Sequence, residues 1–243
     1  MHLAIDVGNT RTKIALFESG QLVHLEKVPK LTEDWLAQWA YNHSPKKVIL
    51  SSVGARNPAL IAGLQKRYPL IVLDHQTPLP IANEYRTPET LGKDRVAAVV
   101  GAFQLYPGKS NVVIDAGTCI TYDLITQEGI YYGGNIAPGV TMRLDAMQHF
   151  TARLPQPGRS DIHGLLGDST NTALQNGAQL GAILEAEGFI KRCEAAYGEL
   201  NVILTGGDAD FFDKYLKRNI FVNQNLVLHG LNQILIYNAP YLA

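Results

Sequence analysis

The sequence predicts an α/β fold built from two similar domains that face a central cleft. Stretches with the alternating pattern of strands and stretches with helical spacing follow one another along the 243 residues, which is typical of α/β architecture. A displacement of 109 positions, which carries Ile5 onto Ile114, superposes two segments without a gap. A repeat of that length is a domain rather than a solenoid unit. Ligand sites favour domain interfaces, so we expect the binding site in the cleft.

The first half opens on three strands and continues with alternating helices and strands. We predict strands over residues 2–7, 12–17, 21–28, 47–53 and 70–73, and helices over residues 31–41, 57–68 and 94–105. The stretch from residue 76 to 88 is expected to be a loop, since Pro78, Pro80 and Pro88 each interrupt a strand ladder.

The second half repeats the three opening strands and ends on helices. We predict strands over residues 111–115, 120–125, 129–136 and 201–204, and helices over residues 140–150, 171–197, 209–217 and 226–238. The polar stretch from 154 to 169 contains glycine and proline and has no predicted element. The predicted domains are residues 1–109 and 110–243, with the C-terminal helix packing back on the first half.

The first predicted hairpin carries a turn suited to phosphate, the first Asp-Gly turn, Asp6-Val7-Gly8-Asn9-Thr10-Arg11-Thr12-Lys13. A glycine after a strand lets the backbone turn sharply, and the N–H groups of such a turn form an anion-binding concavity. Thr10 and Thr12 add hydroxyl donors, and Lys13 adds a positive charge. Asp6 can hold Mg²⁺ directly or through water. For this motif alone, a hairpin without a ligand is the alternative.

The second half offers the same chemistry in the second Asp-Gly turn, Asp115-Ala116-Gly117-Thr118. Asp115 overlies Asp6, and Thr121 overlies Thr12, so two such turns can grip the β- and γ-phosphates of ATP. The Gly-Gly turn, Thr205-Gly206-Gly207-Asp208, offers adenine or ribose a surface without side chains, although a simple loop has the same pattern. The Walker A and G-x-G-x-x-G patterns are absent from the sequence, which argues against a P-loop or Rossmann site.

Composition and charge narrow the classes of function. Hydrophobic residues make up 46% of the sequence and charged residues 18%, as in ordinary globular proteins. The formal net charge of −1 disfavours nucleic acid as a partner. The 2 cysteines are too few for a disulfide framework, and no apolar run of the sequence reaches the length of a membrane span. We therefore expect reduced thiols and a cytoplasmic protein with neither a membrane nor a nucleic-acid partner.

The three turns, in this order, resemble the two phosphate elements and the adenosine element of the acetate-kinase, sugar-kinase, Hsp70 and actin superfamily. Within it, the chain resembles the type III pantothenate kinases from residue 3 to about residue 207. Three motifs carry this resemblance: the opening at Asp6 to Lys13, the signature Tyr85-x-x-Pro88-x-x-Leu91-Gly92-x-Asp94-Arg95, and the block Gly133-Gly134-x-Ile136-x-Pro138-Gly139. The resemblance implies two ribonuclease-H-like domains of the actin/hexokinase type.

The resemblance also implies a reaction and a substrate site. Type III pantothenate kinases phosphorylate the primary hydroxyl of pantothenate with ATP and Mg²⁺, the first step of coenzyme A biosynthesis. Asp94 is the candidate catalytic base; its place beside Arg95 at a helix start favours the carboxylate form, and a helix N-cap is its alternative role. Tyr85, Gly92, Lys93 and Arg95 are expected to contact pantothenate.

Other positions complete the predicted site. Thr170 is expected to contact pantothenate near the interface of a homodimer, or else to cap the helix that follows it. By resemblance, Asp115 is the carboxylate ligand of K⁺ or NH₄⁺. Arg143 and His149 are further candidates in the cleft. The predicted ATP-binding residues are Asp6, Val7, Gly8, Asn9, Thr10, Arg11, Thr12, Lys13, Thr118, Gly206 and Gly207.

Two other functions stay open from the sequence. The chain could be another small-molecule kinase of the superfamily, since one fold supports many substrates. The motif from Tyr85 to Arg95 favours pantothenate, because sugar kinases usually place their base elsewhere. The chain could also be a non-catalytic transcription accessory factor of the same fold, but such a factor can lose Asp94 or an Asp-Gly turn, and this sequence keeps them.

Overall fold

The computed structural model describes residues 1–8, 11–29, 31–52, 57–162 and 164–242. The chain forms two compact units. The first comprises residues 1–108, 127–132 and 225–243, and the second comprises residues 109–126 and 133–224. Each unit combines a sheet with helices, so the predicted α/β class is confirmed. The division into two functional halves at residue 109 stays a prediction.

The strands and helices follow one another along the whole chain. The strands are β1 His2–Val7, β2 Thr12–Glu18, β3 Gln21–Val28, β4 Lys47–Ser52, β5 Leu70–Val72, β6 Ala82–Asn83, β7 Ser110–Ala116, β8 Cys119–Ile125, β9 Ile130–Pro138, β10 Leu200–Thr205 and β11 Phe221–Val222. The helices are α1 Glu33–His43, α2 Pro58–Gln65, α3 Lys93–Leu105, α4 Val140–His149, α5 Thr170–Tyr197, α6 Ala209–Tyr215 and α7 Leu226–Asn238, followed by a 3₁₀ helix at Ala239–Tyr241.

The sheet of the first unit has the strand order β3-β2-β1-β4-β5. β1 runs antiparallel to β2 and parallel to β4. Parallel strands end at the same edge of a sheet, so Asp6 lies opposite Ser51 at the carboxyl edge. One hydrophobic core of this unit is formed by apolar side chains from β1, β2 and β4, from helices α1 and α2, and from the loop before α1. Its buried residues are Leu3, Ile5, Ile14, Leu16, Leu31, Leu36, Trp39, Val48, Leu50, Leu60 and Leu64.

Two helices of the first unit, α3 and α7, are buried along most of their length. Every residue of α3 from Arg95 to Ala102 is buried, and α7 has buried residues all around its axis. Such helices are apolar on all sides rather than along one stripe. The two helices pack against each other, and α7 also contacts β1 and β4. This packing fixes the N-terminal end of α3, where Asp94 lies.

The second unit contains strands in the order β11-β10-β7-β8-β9. β10 runs parallel to β7, which brings Thr205 opposite Asp115. The core of this unit includes Val112, Ile114, Tyr122, Ile183 and Phe212, which are at most 2% exposed. β9 begins in the first unit, where its residues Ile130 and Tyr131 pair in parallel with β6.

The two hairpins with Asp-Gly turns differ by one residue in their pairing register. Lys13 pairs with Asp6 in the first hairpin, whereas Thr121 pairs with Asp115 in the second. Thr121 therefore occupies the position of Lys13, and the ungapped superposition of Thr121 on Thr12 is wrong. The physical reason is the closure of the turn: the Gly8 N–H donates to the Arg11 carbonyl at 3.1 Å, whereas the Gly117 N–H donates to the carbonyl two residues further on, at 2.9 Å.

Two short strands, β6 and β11, were not predicted from the sequence. β6 lies inside the stretch that was expected to be a loop, and that prediction is wrong at residues 82–83. β11 is paired with β10 and was not predicted. Each has 2 residues, too few to show an alternating pattern. Within the residues that the structure describes, no helix combines the length and apolar character needed to cross a bilayer.

The free energy of unfolding is expected to fall with acidification because of His229 on α7. Burial lowers the pKa of His229 below its ordinary value of 6.5, and its ring meets Phe17 edge-on at 5.4 Å. Below pH 6.5, the ordinary pKa, His229 binds a proton in the unfolded chain but not in the folded chain. The free energy of unfolding therefore decreases as the pH is lowered, until the pH reaches the lowered pKa of the folded state. The slope is at most about 1.4 kcal/mol per pH unit for one group. Urea unfolding at pH 7.5 and pH 5.5 should show a smaller loss for His229→Gln than for the wild type; equal losses would contradict this assignment.

Candidate active site

The first Asp-Gly turn joins β1 to β2 in the first unit. Asp6 is partly buried at the end of β1 and pairs with Lys13 across the hairpin. Arg11 is exposed, whereas Thr12 is 3% exposed. Asn9 and Thr10 lie outside the described residues. Asp6, Lys13 and the start of β2 are thus held by ladder hydrogen bonds, which fixes the spacing between the carboxylate and the ammonium stem.

The second Asp-Gly turn is packed against the start of α4. The Gly139 N–H donates to the carbonyl of Thr118 at 3.0 Å. A Cβ at Gly139 would overlap the carbonyl oxygens of Gly117 and Thr118. Gly139 is also the N-cap of α4. The block that contains Gly139 was used in the sequence only as a family marker, and here it supports the backbone of the turn.

The Gly-Gly turn lies directly beside the second Asp-Gly turn. Gly206 has a positive φ of 91°, and a Cβ there would overlap both the Ala116 carbonyl oxygen and Oδ1 of Asp115. The Asp208 N–H donates to the same Ala116 carbonyl at 2.8 Å. The structure therefore brings together the candidate cation ligand Asp115 and the candidate adenosine turn, because β7 and β10 are adjacent parallel strands.

These two turns border an open cavity of about 400 Å³ inside the second unit. That volume falls within the range of small-molecule sites, about 300–1,000 Å³. Its walls combine backbone, hydroxyl, thioether, carboxylate and guanidinium groups from Gly117, Thr118, Thr141, Met142, Asp145, Arg159 and Asp208. Gly117 and Thr118 of the second Asp-Gly turn and Asp208 of the Gly-Gly turn are the parts of this wall that lie in turns singled out in the sequence.

Arg159 is a cavity residue that the sequence did not predict. Its guanidinium donates to Asp208 at 2.5 Å and lies 5.0 Å from the centre of the Phe211 ring. Two glutamines of α5 hold the backbone on either side: Gln175 donates to the Gly158 carbonyl at 2.8 Å, and Gln179 bonds both the N–H and the carbonyl of Ser160. Gln179 is 1% exposed, so this segment is firmly attached to the helix.

The predicted substrate motif lies in the first unit and ends on α3. The Tyr85 ring stacks on Tyr131 at 6.4 Å, and the Arg95 guanidinium lies 5.8 Å from the centre of the Tyr85 ring. Arg95 is 5% exposed. Asp94 is partly exposed in the first turn of α3, where its Oδ1 accepts a hydrogen bond from the Arg95 N–H at 2.9 Å. The buried Tyr131 and Arg95 thus hold the partly exposed Tyr85 ring in place, and Asp94 follows at the start of the helix.

Gly92 and Lys93 occupy the start of α3. Gly92 is the N-cap of the helix and, as a glycine, has no side chain that could cap it. A Cβ on Gly92 would lie 2.6 Å from Oδ1 of Asp94, so a larger residue would displace the carboxylate. The N-cap role considered for Asp94 is wrong, because Gly92 holds that position. Lys93 borders a smaller cavity of about 90 Å³ that lies within the first unit.

The remaining candidates occupy different places in the second unit. Thr170 is the first residue of α5 and is exposed; Ser169 is the N-cap, in a capping box with Thr172. The capping role considered for Thr170 is therefore wrong. His149 ends α4 beside Phe150, with ring centres 4.7 Å apart. Arg143 directs its guanidinium to the Pro138 carbonyl and to Glu185.

The described side chains contain few arrangements that could bind a metal ion. Among them, no group of three or more His, Cys, Asp and Glu residues is arranged to hold a metal ion. Asp6 and Asp115 each end a strand and can each supply one carboxylate. A divalent ion that takes one or two carboxylates plus substrate phosphates and water needs no larger protein cage. Each of these carboxylates, taken within its own unit, has the chemistry of a ligand for an ion that enters with a nucleotide.

A comparison with protein families identifies the chain. A family model described as type III pantothenate kinase matches residues 2–192. The chain belongs to the type III pantothenate kinase family. A type III pantothenate kinase from Bacteroides fragilis is 45% identical over 239 residues, which is 98% of this chain and 98% of that protein. The family resemblance drawn from the sequence motifs is confirmed.

Solved structures confirm the ribonuclease-H-like fold that was predicted for this member of the type III pantothenate kinase family. A Baf family transcriptional activator from Campylobacter jejuni has a TM-score of 0.63 and 22% identity, and covers 98% of this chain and 99% of its own. A 2-dehydro-3-deoxygalactonokinase protein from Sinorhizobium meliloti has a TM-score of 0.59 and 14% identity, and covers 99% of both chains. At such identities the likeness shows the actin/hexokinase-type fold alone.

Proposed function

We propose that this chain transfers the γ-phosphoryl group of ATP to pantothenate and forms 4'-phosphopantothenate, the first step of coenzyme A biosynthesis. The observation that carries the proposal is the family match over residues 2–192, which spans both Asp-Gly turns and the motif from Tyr85 to Arg95. The position of Asp94 supports it: a partly exposed carboxylate is fixed at the end of a buried helix.

The nucleotide is proposed to use all three turns. ADP is a good leaving group only when the charge on its phosphates is neutralised, which calls for cations and N–H donors at the triphosphate. Lys13 and Arg11 supply positive charge, and Asp6 holds Mg²⁺, directly or through water. The proposed ATP-binding set is Asp6, Val7, Gly8, Asn9, Thr10, Arg11, Thr12, Lys13, Thr118, Gly206 and Gly207. Arg159 and Asp208 join this set because they line the same cavity as Thr118.

Pantothenate is proposed to bind along the motif that ends on α3. Its primary hydroxyl attacks the γ-phosphorus, the bond to the β-phosphate oxygen breaks, and Asp94 accepts the hydroxyl proton. General bases of this kind contribute roughly 10²- to 10⁴-fold to the rate. Arg95 pairs with an anionic group, either the pantothenate carboxylate or a phosphate. Tyr85, Gly92, Lys93 and Thr170 complete the proposed substrate contacts.

Asp115 is proposed to bind a monovalent cation, K⁺ or NH₄⁺, next to the nucleotide phosphates. Asp115 opens the turn of Gly117 and Thr118, and its carboxylate lies against Gly206 in the Gly-Gly turn, which supports a role beside the bound nucleotide. We further propose a homodimer in the cytoplasm, with α5 at its interface. Leu184 supports this arrangement, since it is 51% exposed on a helix whose other apolar residues are largely buried.

A coupled assay of ADP release tests this proposal. We expect ADP release that requires pantothenate in potassium buffer and little release in sodium buffer, because Na⁺ is a smaller ion with a different preferred coordination. In Asp115→Asn, potassium should no longer raise the rate. Equal rates in both buffers would remove the cation role of Asp115. ADP release with a sugar but not with pantothenate would favour another small-molecule kinase.

A further inference from the structure

Three side chains from three different elements form a polar network in the second unit. Arg143 of α4 donates from Nη2 to Oε2 of Glu185 at 2.7 Å, and the Tyr122 hydroxyl of β8 donates to Oε1 of the same carboxylate at 2.9 Å. Tyr122 is 1% exposed. Burial, and then the neighbouring Glu185, raise the pKa of Tyr122, so its hydroxyl stays a donor. Glu185 is thus held by one donor at each of its carboxylate oxygens.

Arg143 also reaches the backbone next to the second Asp-Gly turn. Its Nε donates to the carbonyl of Pro138 at 2.9 Å. The next residue, Gly139, donates its N–H to the Thr118 carbonyl at 3.0 Å and has no room for a Cβ against that turn. One guanidinium therefore joins the carboxylate of Glu185 to the peptide that supports Thr118.

We propose that Arg143 is a positioning residue that sets the conformation of the Gly117–Thr118 backbone for nucleotide binding. The inference rests on the proposed function, in which Thr118 contacts ATP. It differs from the expectation that Arg143 itself enters the site. The guanidinium acts through Pro138 and Gly139, and its fork holds two acceptors at fixed angles.

A lysine cannot replace this arginine. Its ammonium can meet the carboxylate of Glu185 as a point charge, but it lacks the planar fork that also donates to the Pro138 carbonyl. Without that second bond the Pro138–Gly139 peptide gains freedom, and the turn that it supports is no longer preorganised. Small misplacements of positioning groups cost roughly ten- to a hundredfold in enzymes.

The chain offers a control arginine whose carboxylate partner lies on the same helix, α5. Arg218 pairs with Glu194 of α5, with side-chain exposures of 28% and 38%, against 19% and 39% for Arg143 and Glu185. Arg143→Lys and Arg218→Lys each remove a guanidinium that donates from Nη2 to a carboxylate of α5. Arg143 also donates from Nε to the Pro138 carbonyl beside the turn, whereas Nε of Arg218 has no acceptor among the described residues. Both should lower the Tm by similar small amounts.

The test measures the Kd of Mg-ATP by calorimetry and the KM of each substrate for both variants. Arg143→Lys should raise the Kd and the KM of ATP roughly tenfold and leave the KM of pantothenate within about twofold. Arg218→Lys should leave both constants at wild-type values. Tyr122→Phe, which removes one donor to Glu185, should raise the Kd of ATP by a smaller factor, about two- to threefold, and it serves in place of Arg143→Lys if that variant does not fold.

The outcomes separate this inference from the proposed function. Equal Kd values of ATP for Arg143→Lys and Arg218→Lys, or a KM raised for both substrates alike, would overturn the positioning role. A wild type that binds ATP but does not phosphorylate pantothenate overturns the proposed function while the Kd comparison still decides the role of Arg143. A wild type that binds no nucleotide overturns both.

Discussion

Asp94→Asn should fold normally and lose nearly all turnover. The amide keeps an oxygen that can accept from the Arg95 N–H, as Oδ1 of Asp94 does at 2.9 Å, so the start of α3 is preserved. Removing a negative charge from a helix N-terminus costs about 0.3–1 kcal/mol. The amide cannot accept the proton of the attacking hydroxyl, so kcat should fall by roughly 10²- to 10⁴-fold. Steady-state kinetics and thermal unfolding of the purified variant measure both effects.

Asp74→Asn is the control for this variant. Asp74 lies in the same unit and its Oδ1 accepts from the N–H groups of Gln76 and Thr77, each at 3.0 Å. Its replacement removes the same charge from a loop carboxylate, at about 1 kcal/mol of stability, and should leave kcat within about twofold of the wild type. Wild-type turnover in Asp94→Asn, or equal losses in both variants, would reject Asp94 as the base.

Gly206→Ala should destabilise the protein severely and disrupt the site. The position has a φ of 91°, a backbone region that L-residues with a Cβ rarely adopt. The added methyl group would also overlap the Ala116 carbonyl and Oδ1 of Asp115. The carbonyl accepts the Asp208 N–H at 2.8 Å, so moving it away would break that hydrogen bond. We expect a loss of roughly 3 kcal/mol or more in the free energy of unfolding, measured by urea denaturation.

Gly207→Ala gives the matched comparison for stability. A Cβ at Gly207 meets no atom within 4 Å, and no positive φ is found at this residue. Its substitution should change the free energy of unfolding by less than about 1 kcal/mol. Similar losses for the two neighbouring glycines would mean that the close packing of Asp115 against Gly206 does not stabilise this unit.

Much of this fold was predictable from local signals. The Asp-Gly turns end runs of β-forming residues, and Ser19 and Gly20, with φ of 49° and 82°, form the kind of two-residue turn that the sequence at Glu18–Gln21 suggests. The start of α3 follows from glycine before a long apolar stretch. The candidate residues on these elements could be named because a turn or a helix start fixes where a side chain lies.

The parts that the sequence missed depend on contacts between distant residues. The one-residue shift that puts Thr121 opposite Asp115 comes from backbone hydrogen bonding in the second turn. In the sequence Thr121 aligns with Thr12 without a gap, and this match of residue type hides the shift. Arg159 reaches the cavity because Gln175 and Gln179, on a helix more than ten residues away, hold its backbone. A polar loop attached by side chains has no periodic pattern to reveal it.

The most direct test is to identify the phosphorylated product. Purified protein is incubated with ATP, Mg²⁺, potassium and pantothenate, and the mixture is analysed by mass spectrometry and ³¹P NMR. The account predicts a phosphomonoester of pantothenate on its primary hydroxyl, formed in equal amount with ADP. ATP consumed while pantothenate stays unmodified, or no consumption of ATP at all, would contradict it.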